Sequence, residues 1–518
     1  MNTILNIIKK IIPKKIQDFF RPVYHITLAY VSALWYGFPS EKMIVIGVTG
    51  TNGKSSTVEL IARVLEGHTP NPSQEGNWHA PPPNPLLRKE GGEEEIGSAE
   101  NCKVGMASTV GFKVGDREWL NDKKMTMLGR FQLQKLLSDM VKAGCKYAVI
   151  ETSSEGIKQF RHKGINYDYL VFTNLTPEHI ESHGSFEKYK QAKLDLFKHL
   201  QRSKHKLFNR KKFIGFRMSS LIHADSDADL RGNSDYVSKV IIINGDDKYA
   251  KEFLNFKVDK KIVYGVSGGA KGVATAISVT AKNIHLDNKG SEFSVRNINY
   301  KLNLIGLFNV YNSLPAIAIG EHEKISSEHI KSSLEKIKVI PGRMEFIDEG
   351  QSFKVLVDYA PEPESMRKLY ETVKMFNDMS LQSSGETKSG VKKIIHVLGS
   401  CGGGRDKARR SVLGKISAEN ADVVIVTNED PYDDDPIGII NEIANGALVA
   451  GADEKSVFKI LDRKDAIKKA ISLAGKNDLV LITGKGAEQA MCVANGKKIK
   501  WDDREVVREI LIRLSSRT

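Results

Sequence analysis

Residues 43–65 read Met43-Ile44-Val45-Ile46-Gly47-Val48-Thr49-Gly50-Thr51-Asn52-Gly53-Lys54-Ser55-Ser56-Thr57-Val58-Glu59-Leu60-Ile61-Ala62-Arg63-Val64-Leu65. Met43 to Ile46 is a short apolar run, as expected of a strand buried in a parallel sheet. Val58 to Leu65 has helical periodicity. Strand, glycine-rich turn, Gly-Lys-Ser and helix is the layout of a phosphate-binding loop. Gly50 and Gly53 let backbone N–H groups approach a polyphosphate, and the helix N-terminus adds a positive dipole end. Lys54 would reach the β- and γ-phosphates, and the Ser55 hydroxyl would hold Mg²⁺. Thr51, Asn52 and Ser56 complete this candidate nucleotide site. Val48 stands where the usual spacing has glycine, so the loop is a variant. The competing reading is a plain βα turn.

The chain's 518 residues suggest about three domains. At 41% hydrophobic it has enough apolar residue for sizeable cores, which excludes global disorder. The net charge of +14 points to nucleic acid, a membrane surface or anionic substrates, or simply to a solvated lysine-rich surface. No interleaving of basic and aromatic residues marks an RNA surface, so nucleic acid is not expected as a partner. Cys102, Cys145, Cys401 and Cys492 are not spaced as metal ligands. They suit a reducing cytoplasm as small buried hydrophobes. Cys401 sits in a glycine-rich loop with no histidine neighbour to activate it.

Three stretches stand apart from the alternating strand–helix pattern. Residues 1–42 form a short basic and apolar segment in which Pro13 interrupts any helix. Its apolar run, Pro22 to Phe38, is shorter than a membrane span of about 20 residues. It is expected either to lie on a membrane surface or to pack against the next domain. Residues 67–100 (three consecutive prolines, then Gly91-Gly92-Glu93-Glu94-Glu95) and residues 203–237 read as insertions. Strands near Tyr147–Ile150, Tyr169–Thr173 and Lys239–Ile243 each end in polar residues, where open parallel sheets bind ligands. Ile340-Pro341-Gly342-Arg343 reads as a linker. The expected fold is α/β: a central P-loop-type ATPase domain with a parallel sheet over 43–340, and a Rossmann-like α/β domain over 341–518.

Glu151, His179 and Lys193 follow the loop at places that could converge on one magnesium–nucleotide site. A carboxylate and a neutral imidazole are plausible ligands for a second metal, although Mg²⁺ prefers oxygen. Each residue could equally be a cap or a surface group.

Ten segments in order resemble the Mur ligase family of ATP-dependent amide-bond-forming enzymes. Within it they are closest to the UDP-N-acetylmuramoyl-tripeptide synthetases of peptidoglycan assembly. They are Gly47–Ser56, Glu151–Gly156, Phe172–Phe197, Gly306–Asn312, Pro341–Glu345, Val357–Ala360, Gly402–Arg410, Thr427–Pro436, Gly484–Gly486 and Asp502–Glu505. In that family the Gly-Val-Thr-Gly-Thr-Asn-Gly-Lys-Ser form is the usual loop, Val48 included. The resemblance implies that Lys54 and Ser55 bind ATP phosphates and Mg²⁺, and that Glu151, His179 and Lys193 bind a second Mg²⁺, Lys193 as a carbamate. It places Asn309 and Asn312 near adenine, and makes Arg343 and Asp358 nucleotide contacts. It implies substrate contacts at Ser153, Ser154, Thr126, Arg405, Asp430, Tyr432 and Glu488. The implied reaction activates a carboxylate as an acyl phosphate, which an amine then attacks while the C-terminal domain closes out water. The implied partners are a muramyl-peptide acceptor and an amino acid. The expected setting is the bacterial cytoplasm, as a monomer, with peripheral membrane contact through residues 1–40 as a further option.

The departures from the family lie away from ATP. Only 42 residues precede the loop's strand, too few for the family's N-terminal UDP-sugar domain. Lys124-Met125-Thr126-Met127-Leu128-Gly129 lacks a second threonine and a proline. Glu155 and Pro361 stand where histidines are usual. Asn428-Glu429-Asp430-Pro431-Tyr432 aligns with the Asp-Asn-Pro-Arg signature for meso-diaminopimelate, but Tyr432 removes the arginine that would clamp a distal carboxylate. Ala487 replaces a histidine, while Glu488 remains and could bind an amine. Lysine or another diamino acid is therefore expected in place of diaminopimelate. The alternatives are a different carboxylate acceptor (lipid-linked muropeptide or polyglutamate-type) and a non-catalytic nucleotide-binding scaffold. Lys54, Glu151, His179 and Lys193 argue against the scaffold.

Overall fold

In a computed structural model the described residues are 14–67, 102–178, 180–207, 236–266, 276–380 and 391–516, with backbone only for 14–19 and 376–380. Two large sheets organise the α/β fold. The first draws on β1 (Ile44–Thr49), β2 (Val104–Ala107), β3 (Gly111–Val114), β4 (Arg117–Leu120), β5 (Tyr147–Glu151) and β6 (Tyr169–Phe172). After a two-stranded ladder of β7 (Lys206–Leu207) and β8 (Tyr236–Val237), it continues with β9 (Val240–Asn244), β10 (Lys260–Gly265), β11 (Ile277–Leu286), β12 (Ser291–Val295) and β13 (Ile298–Leu302). These eleven strands lie in the order β13-β12-β11-β10-β9-β6-β1-β5-β2-β3-β4.

Strand β1 is central and pairs in parallel with β5 and β6. All six of its residues are buried. A strand covered on both faces is expected to be apolar throughout rather than alternating, which accounts for its composition. The strand runs on to Thr49 instead of stopping at Ile46, so Gly47-Val48-Thr49 belongs to the sheet. Val48 is fully buried, opposite Glu151 on β5 and Val171 on β6. The turn proper is only Gly50 to Gly53, and the helix starts at Lys54 rather than Val58.

The second sheet contains β14 (Glu345–Ile347), β15 (Lys354–Asp358), β16 (Ile394–Leu398), β17 (Val423–Thr427), β18 (Val457–Ile460) and β19 (Leu479–Thr483). Their order is β14-β15-β19-β16-β17-β18, parallel except for β14. Separate apolar clusters cover its two faces, one centred on Leu356, Val424 and Leu481, the other on Val355, Ile425 and Val480. The chain passes from one sheet to the other through Ile340 and Arg343, which form an isolated bridge.

The N-terminal reading needs correction. Among the described residues one helix, Lys14–Trp35, continues through Pro22, so the end of the basic stretch and the start of the apolar run share one element; residues 1–13 lie outside the described residues. Its inner face is made of small residues, Ala29, Ser32 and Ala33, all buried. They pack where Gly164 leaves room; a Cβ at Gly164 would lie 2.8 Å from the Ala29 carbonyl oxygen. Among the described residues, no helix is long and apolar enough to cross a membrane. Of the stretches read as insertions, all of 67–100 but residue 67 and most of 203–237 lie outside the described residues. The ends of the second are paired, Lys206 with Val237 and Leu207 with Tyr236.

Candidate active site

The C-terminal ends of the parallel strands in both sheets open onto one cleft. Strand β1 delivers Gly50 to Ser55, β5 delivers Glu151, Ser153 and Ser154, and β9 delivers Asn244, Asp246 and Asp247. From the second sheet, β15 delivers Asp358 and Tyr359, β17 delivers Glu429 and Asp430, and β19 delivers Gly484. Ligands gather at strand C-termini because helix N-termini and free backbone amides point there.

The turn is held open from below by side chains. Thr51 N–H donates to the Asn174 carbonyl (2.8 Å), and Asn52 N–H donates to Asn174 Oδ1 (2.9 Å). Thr173 Oγ1 donates to the Asn52 carbonyl (2.7 Å). Gly53 has φ +80°, and a Cβ there would lie 2.3 Å from Asn312 Oδ1. Only glycine meets both demands. Lys54 Nζ folds onto the Thr51 carbonyl (2.6 Å).

Behind the turn lies the acidic centre. Ser55 Oγ donates to Glu151 Oε2 (2.9 Å), and Thr109 N–H donates to the same oxygen (2.7 Å). Thr109 Oγ1 in turn donates to Thr126 Oγ1 (3.0 Å). Lys193 is 1% exposed, and its Nζ donates to the Gly50 carbonyl (2.7 Å). Burial and then the Lys54 charge hold the Lys193 ammonium well below the usual lysine range, against the pull of Glu178 and Glu151. Ser153 caps the helix Ser154–Lys158, accepting from Gly156 N–H, and Ser154 Oγ lies 3.2 Å from His183 Nε2.

The second unit closes the cleft with Arg343 and Asp358. Arg343 lies over the Tyr359 ring, 4.3 Å from its centroid, and approaches Ser55 Oγ at 3.5 Å. Asp358 accepts from the Met344 and Ala360 N–H groups. Burial raises its carboxyl, opposed chiefly by Arg343. Asn312 lines the cleft. Asn309 does not: its amide donates to the Ile305 carbonyl (2.9 Å) and its Oδ1 accepts from Asn312 (3.2 Å). Its place is therefore behind Asn312, which it orients. His179 lies outside the described residues.

Opposite the nucleotide turn, four charges meet. Lys124 Nζ donates to Asp430 Oδ2 (2.5 Å) and to Glu488 Oε2. Lys485 Nζ donates to Asp430 Oδ1 (3.0 Å) and to Glu488 Oε2 (3.1 Å). Asp430 also accepts from Cys492 N–H (2.7 Å). Burial opposes the charges on Lys124 and Asp430, yet Glu488 and Asp430 raise Lys124 above the lysine range. Lys485 and Lys124 in turn hold Asp430 below the carboxylate range. Tyr432 lines the same wall in a left-handed backbone conformation (φ +53°). Arg405 lines it from an exposed position.

Several cleft residues carried no sequence signal as site residues. Thr109 belongs to no motif. Glu178 lies beside His179 within the segment Phe172–Phe197 and Glu362 beside Pro361, and neither has a motif role of its own. Glu362 pairs with buried Arg409, which also donates to Ser400 Oγ (3.2 Å). Burial and then the Glu178 charge push Glu362 up to about 8, against Arg409. Cys401 Sγ donates to Glu429 Oε1 (2.9 Å). Burial and then Glu429 and Asp430 push the thiol well up, which disqualifies it as a nucleophile.

Comparison with known proteins gives two family matches. Residues 94–226 and 232–320 match the Mur ligase middle domain, and residues 342–486 match the Mur ligase, glutamate ligase domain. The UDP-N-acetylmuramyl-tripeptide synthetase of Roseiflexus sp. is 32% identical over 502 residues, covering 95% of this chain and 83% of that protein. The UDP-N-acetylmuramoyl-L-alanyl-D-glutamate–2,6-diaminopimelate ligase of Bacillus cereus is 29% identical over 490 residues, 94% of this chain and 81% of that protein. The Mycobacterium tuberculosis folylpolyglutamate synthase structure shares the fold, with a TM-score of 0.57 at 14% identity, over 89% of this chain and 92% of that one.

Proposed function

The chain belongs to the Mur ligase family, and from that premise we propose that it adds a diamino acid with a single carboxylate to a muramyl dipeptide acceptor. It is an ATP-dependent peptide ligase. The proposed acceptor resembles UDP-N-acetylmuramoyl-L-alanyl-D-glutamate, and the proposed setting is peptidoglycan synthesis in the bacterial cytoplasm. The observation that carries the reading is the grip of Asp430 and Glu488 on the Lys124 ammonium. Two carboxylates that already hold a primary ammonium form a subsite for the ammonium of an incoming side chain. Tyr432 supplies no cation for a distal carboxylate, which a diaminopimelate would bring. Arg405 is the cation at hand for the one α-carboxylate.

The nucleotide wall suits ATP and Mg²⁺. Gly50 and Gly53 bring backbone to the phosphates, and Lys54 is placed to swing from its own turn onto them. Ser55 and Glu151 are oxygen donors for Mg²⁺, with Arg343, Asn312 and Asp358 around the rest of the nucleotide. Mg²⁺ neutralises phosphate charge when bound. A lysine held neutral by burial is the form that adds CO₂, forming an N–C bond and releasing a proton. Burial lowers the Lys193 ammonium toward that form, which supports its role as a carbamate oxygen ligand, alongside Glu151 and His179. Ser153, Ser154 and Thr126 are the proposed contacts to the acceptor, whose carboxylate takes the phosphoryl group before the amine attacks. Closure of the second sheet's strand ends over the cleft excludes water from that activated carbonyl.

A second reading has the acceptor carried by a lipid. It is favoured by the outer face of the helix Lys14–Trp35, where Val23, Leu34 and Trp35 are 60%, 66% and 76% exposed. Large apolar residues outside and small ones inside invert the usual amphipathic order. Mass spectrometry of the product formed from an amino-acid pool tests both readings. With UDP-muramoyl-L-Ala-D-Glu as acceptor, addition of lysine or a similar monocarboxylic diamino acid is expected. Preferred addition of diaminopimelate would overturn the amine assignment. Turnover confined to a lipid-linked acceptor would select the second reading.

A further inference from the structure

A second cavity, of about 730 Å³, lies between the N-terminal helix, the Ser154–Lys158 helix and the helix Phe186–Arg202. That volume is in the range of small-molecule sites. No residue of the phosphate-binding turn lines it. Its charged lining is Lys158, Lys163, Lys188, Lys198 and Arg202 against Asp195 alone. Residues 188, 195, 198 and 202 share one face of their helix. All four are exposed, so this is a solvated face whose charge is mostly of one sign. Here Asp195 accepts from Gln191 (3.0 Å), and Lys188, Lys198 and Arg202 have no ion-pair partner among the described residues.

Two imidazoles form the floor. His199 Nε2 lies 2.9 Å from the Ile165 carbonyl, which makes that nitrogen the donor. Its Nδ1 is left as the acceptor, 3.4 Å from Lys163 Nζ. His162 packs edge-on against His199, with ring centroids 5.2 Å apart. It is 2% exposed, and its Nδ1 has no hydrogen-bond partner. A buried polar atom without a partner is costly, and Lys163 and Arg202, gathered on one lining, repel each other against the pull of Asp195. A tetrahedral oxyanion answers both costs, since it accepts several hydrogen bonds and carries compensating charge.

We propose that this cavity is a binding site for a phosphate group, with Lys163, Lys198, Arg202 and His162 as its principal contacts. The site adjoins the acceptor end of the active cleft through one pair of side chains: His183 lines the cavity, and its partner Ser154 lines the cleft. Tyr30, from the N-terminal helix, lines it too. The phosphate therefore belongs either to a lipid headgroup beside that helix's exposed apolar face or to a soluble phosphate ester. The site stands on its own cavity and not on the lipid-linked reading of the acceptor.

The test uses the full chain with its nucleotide turn saturated by a non-hydrolysable ATP analogue. Titration with inorganic pyrophosphate should show one further binding event that weakens with salt and shifts the His162 ring resonance. Lys198→Glu with Arg202→Glu should weaken it by about tenfold or more. The milder Lys198→Ala should weaken it less and guards against misfolding. Absence of a further event, or unchanged affinity in both variants, would overturn the site. Vesicles of phosphatidylcholine with and without phosphatidic acid separate the sources. Phosphatidic-acid-dependent binding lost in the charge-reversed protein assigns a lipid phosphate. Pyrophosphate binding without vesicle binding assigns a soluble one. Leu34→Ser with Trp35→Ser should abolish only vesicle binding.

Discussion

The nucleotide wall and the amine wall of the cleft are built by different means. On the nucleotide wall, one continuous run from Gly50 to Ser56 presents its backbone, and neighbouring strand ends fix it through Thr173 and Asn174. On the amine wall, the working groups are side-chain charges from distant parts of the chain; Lys124 and Asp430 are 306 residues apart. A backbone cradle needs glycine at fixed spacing and tolerates little else. A charge cluster needs only a zero sum among groups that the fold brings together.

The largest effect should come from the one side-chain charge on the backbone wall. Among the described residues Lys54 Nζ makes one hydrogen bond, to the Thr51 carbonyl, and otherwise acts on Glu178 and Lys193 through its charge, so Lys54→Ala should change the thermal midpoint little. Loss of a charge aimed at a transferring phosphoryl group should cost about 10³-fold in kcat. A fall in both stability and kcat would mean that Lys54 builds the turn rather than serving it, and the contrast between the walls would weaken.

On the amine wall, removing one charge should disturb both structure and binding. Lys485 is fully buried and Asp430 nearly so. Asp430→Asn leaves Lys485 and Lys124 with Glu488 alone. Breaking a buried pair on one side costs about 3 kcal/mol, readable as a lower denaturation midpoint, and KM for the amino acid should rise. Full stability with a raised KM would show that the cluster is flexible enough to resolvate.

This contrast explains what the sequence disclosed. The nucleotide turn was legible because its geometry imposes local spacing: Gly53 needs positive φ, and a strand and a helix must flank it. Even so, the strand's end was read short, because Gly47 and Thr49 resemble turn residues until their burial between β5 and β6 is known. Asp430, Tyr432 and Glu488 were legible only through resemblance. The Lys124 bridge, and Glu362 with Arg409, were not legible at all, since no local pattern records which charges a closed cleft brings together. Asn309 was legible only through resemblance as well, and its place behind Asn312 is a matter of helix face that no local motif records.

Lys124 gives a sharper comparison of smaller size. In the closed cleft it balances Asp430 and Glu488 together with Lys485, so an incoming ammonium has to displace it. Lys124→Met leaves that subsite with a net negative charge. KM for a cationic amino acid should fall about tenfold, equivalent to about 1.4 kcal/mol, with Lys124→Arg restoring it. Should KM rise for the acceptor instead, Lys124 grips the acceptor's carboxylate and the bridge to Asp430 is only its resting place.

The smallest effect concerns the scaffold of the amine wall. His396, fully buried on β16, has Tyr370 and Ser417 hydroxyls on Nδ1 (2.8 and 2.9 Å) and the Thr483 hydroxyl on Nε2 (2.9 Å). Burial, with the Arg463 charge adding to it, pushes this imidazole down to about 3. Unfolded, it would titrate near 6.5. Between those values the unfolded chain binds the extra proton, so its contribution to stability is whole above about pH 6.5 and is lost as pH falls toward 3. The expected slope is about 1 kcal/mol per pH unit, read as a declining denaturation midpoint from pH 6.5 to 4.5. His396→Gln cannot titrate. It should be the less stable protein at pH 7.5, and the two curves should converge on acidification. Parallel curves would move the acid sensitivity to the buried histidines beside the first sheet, His162 and His199, and away from the amine wall.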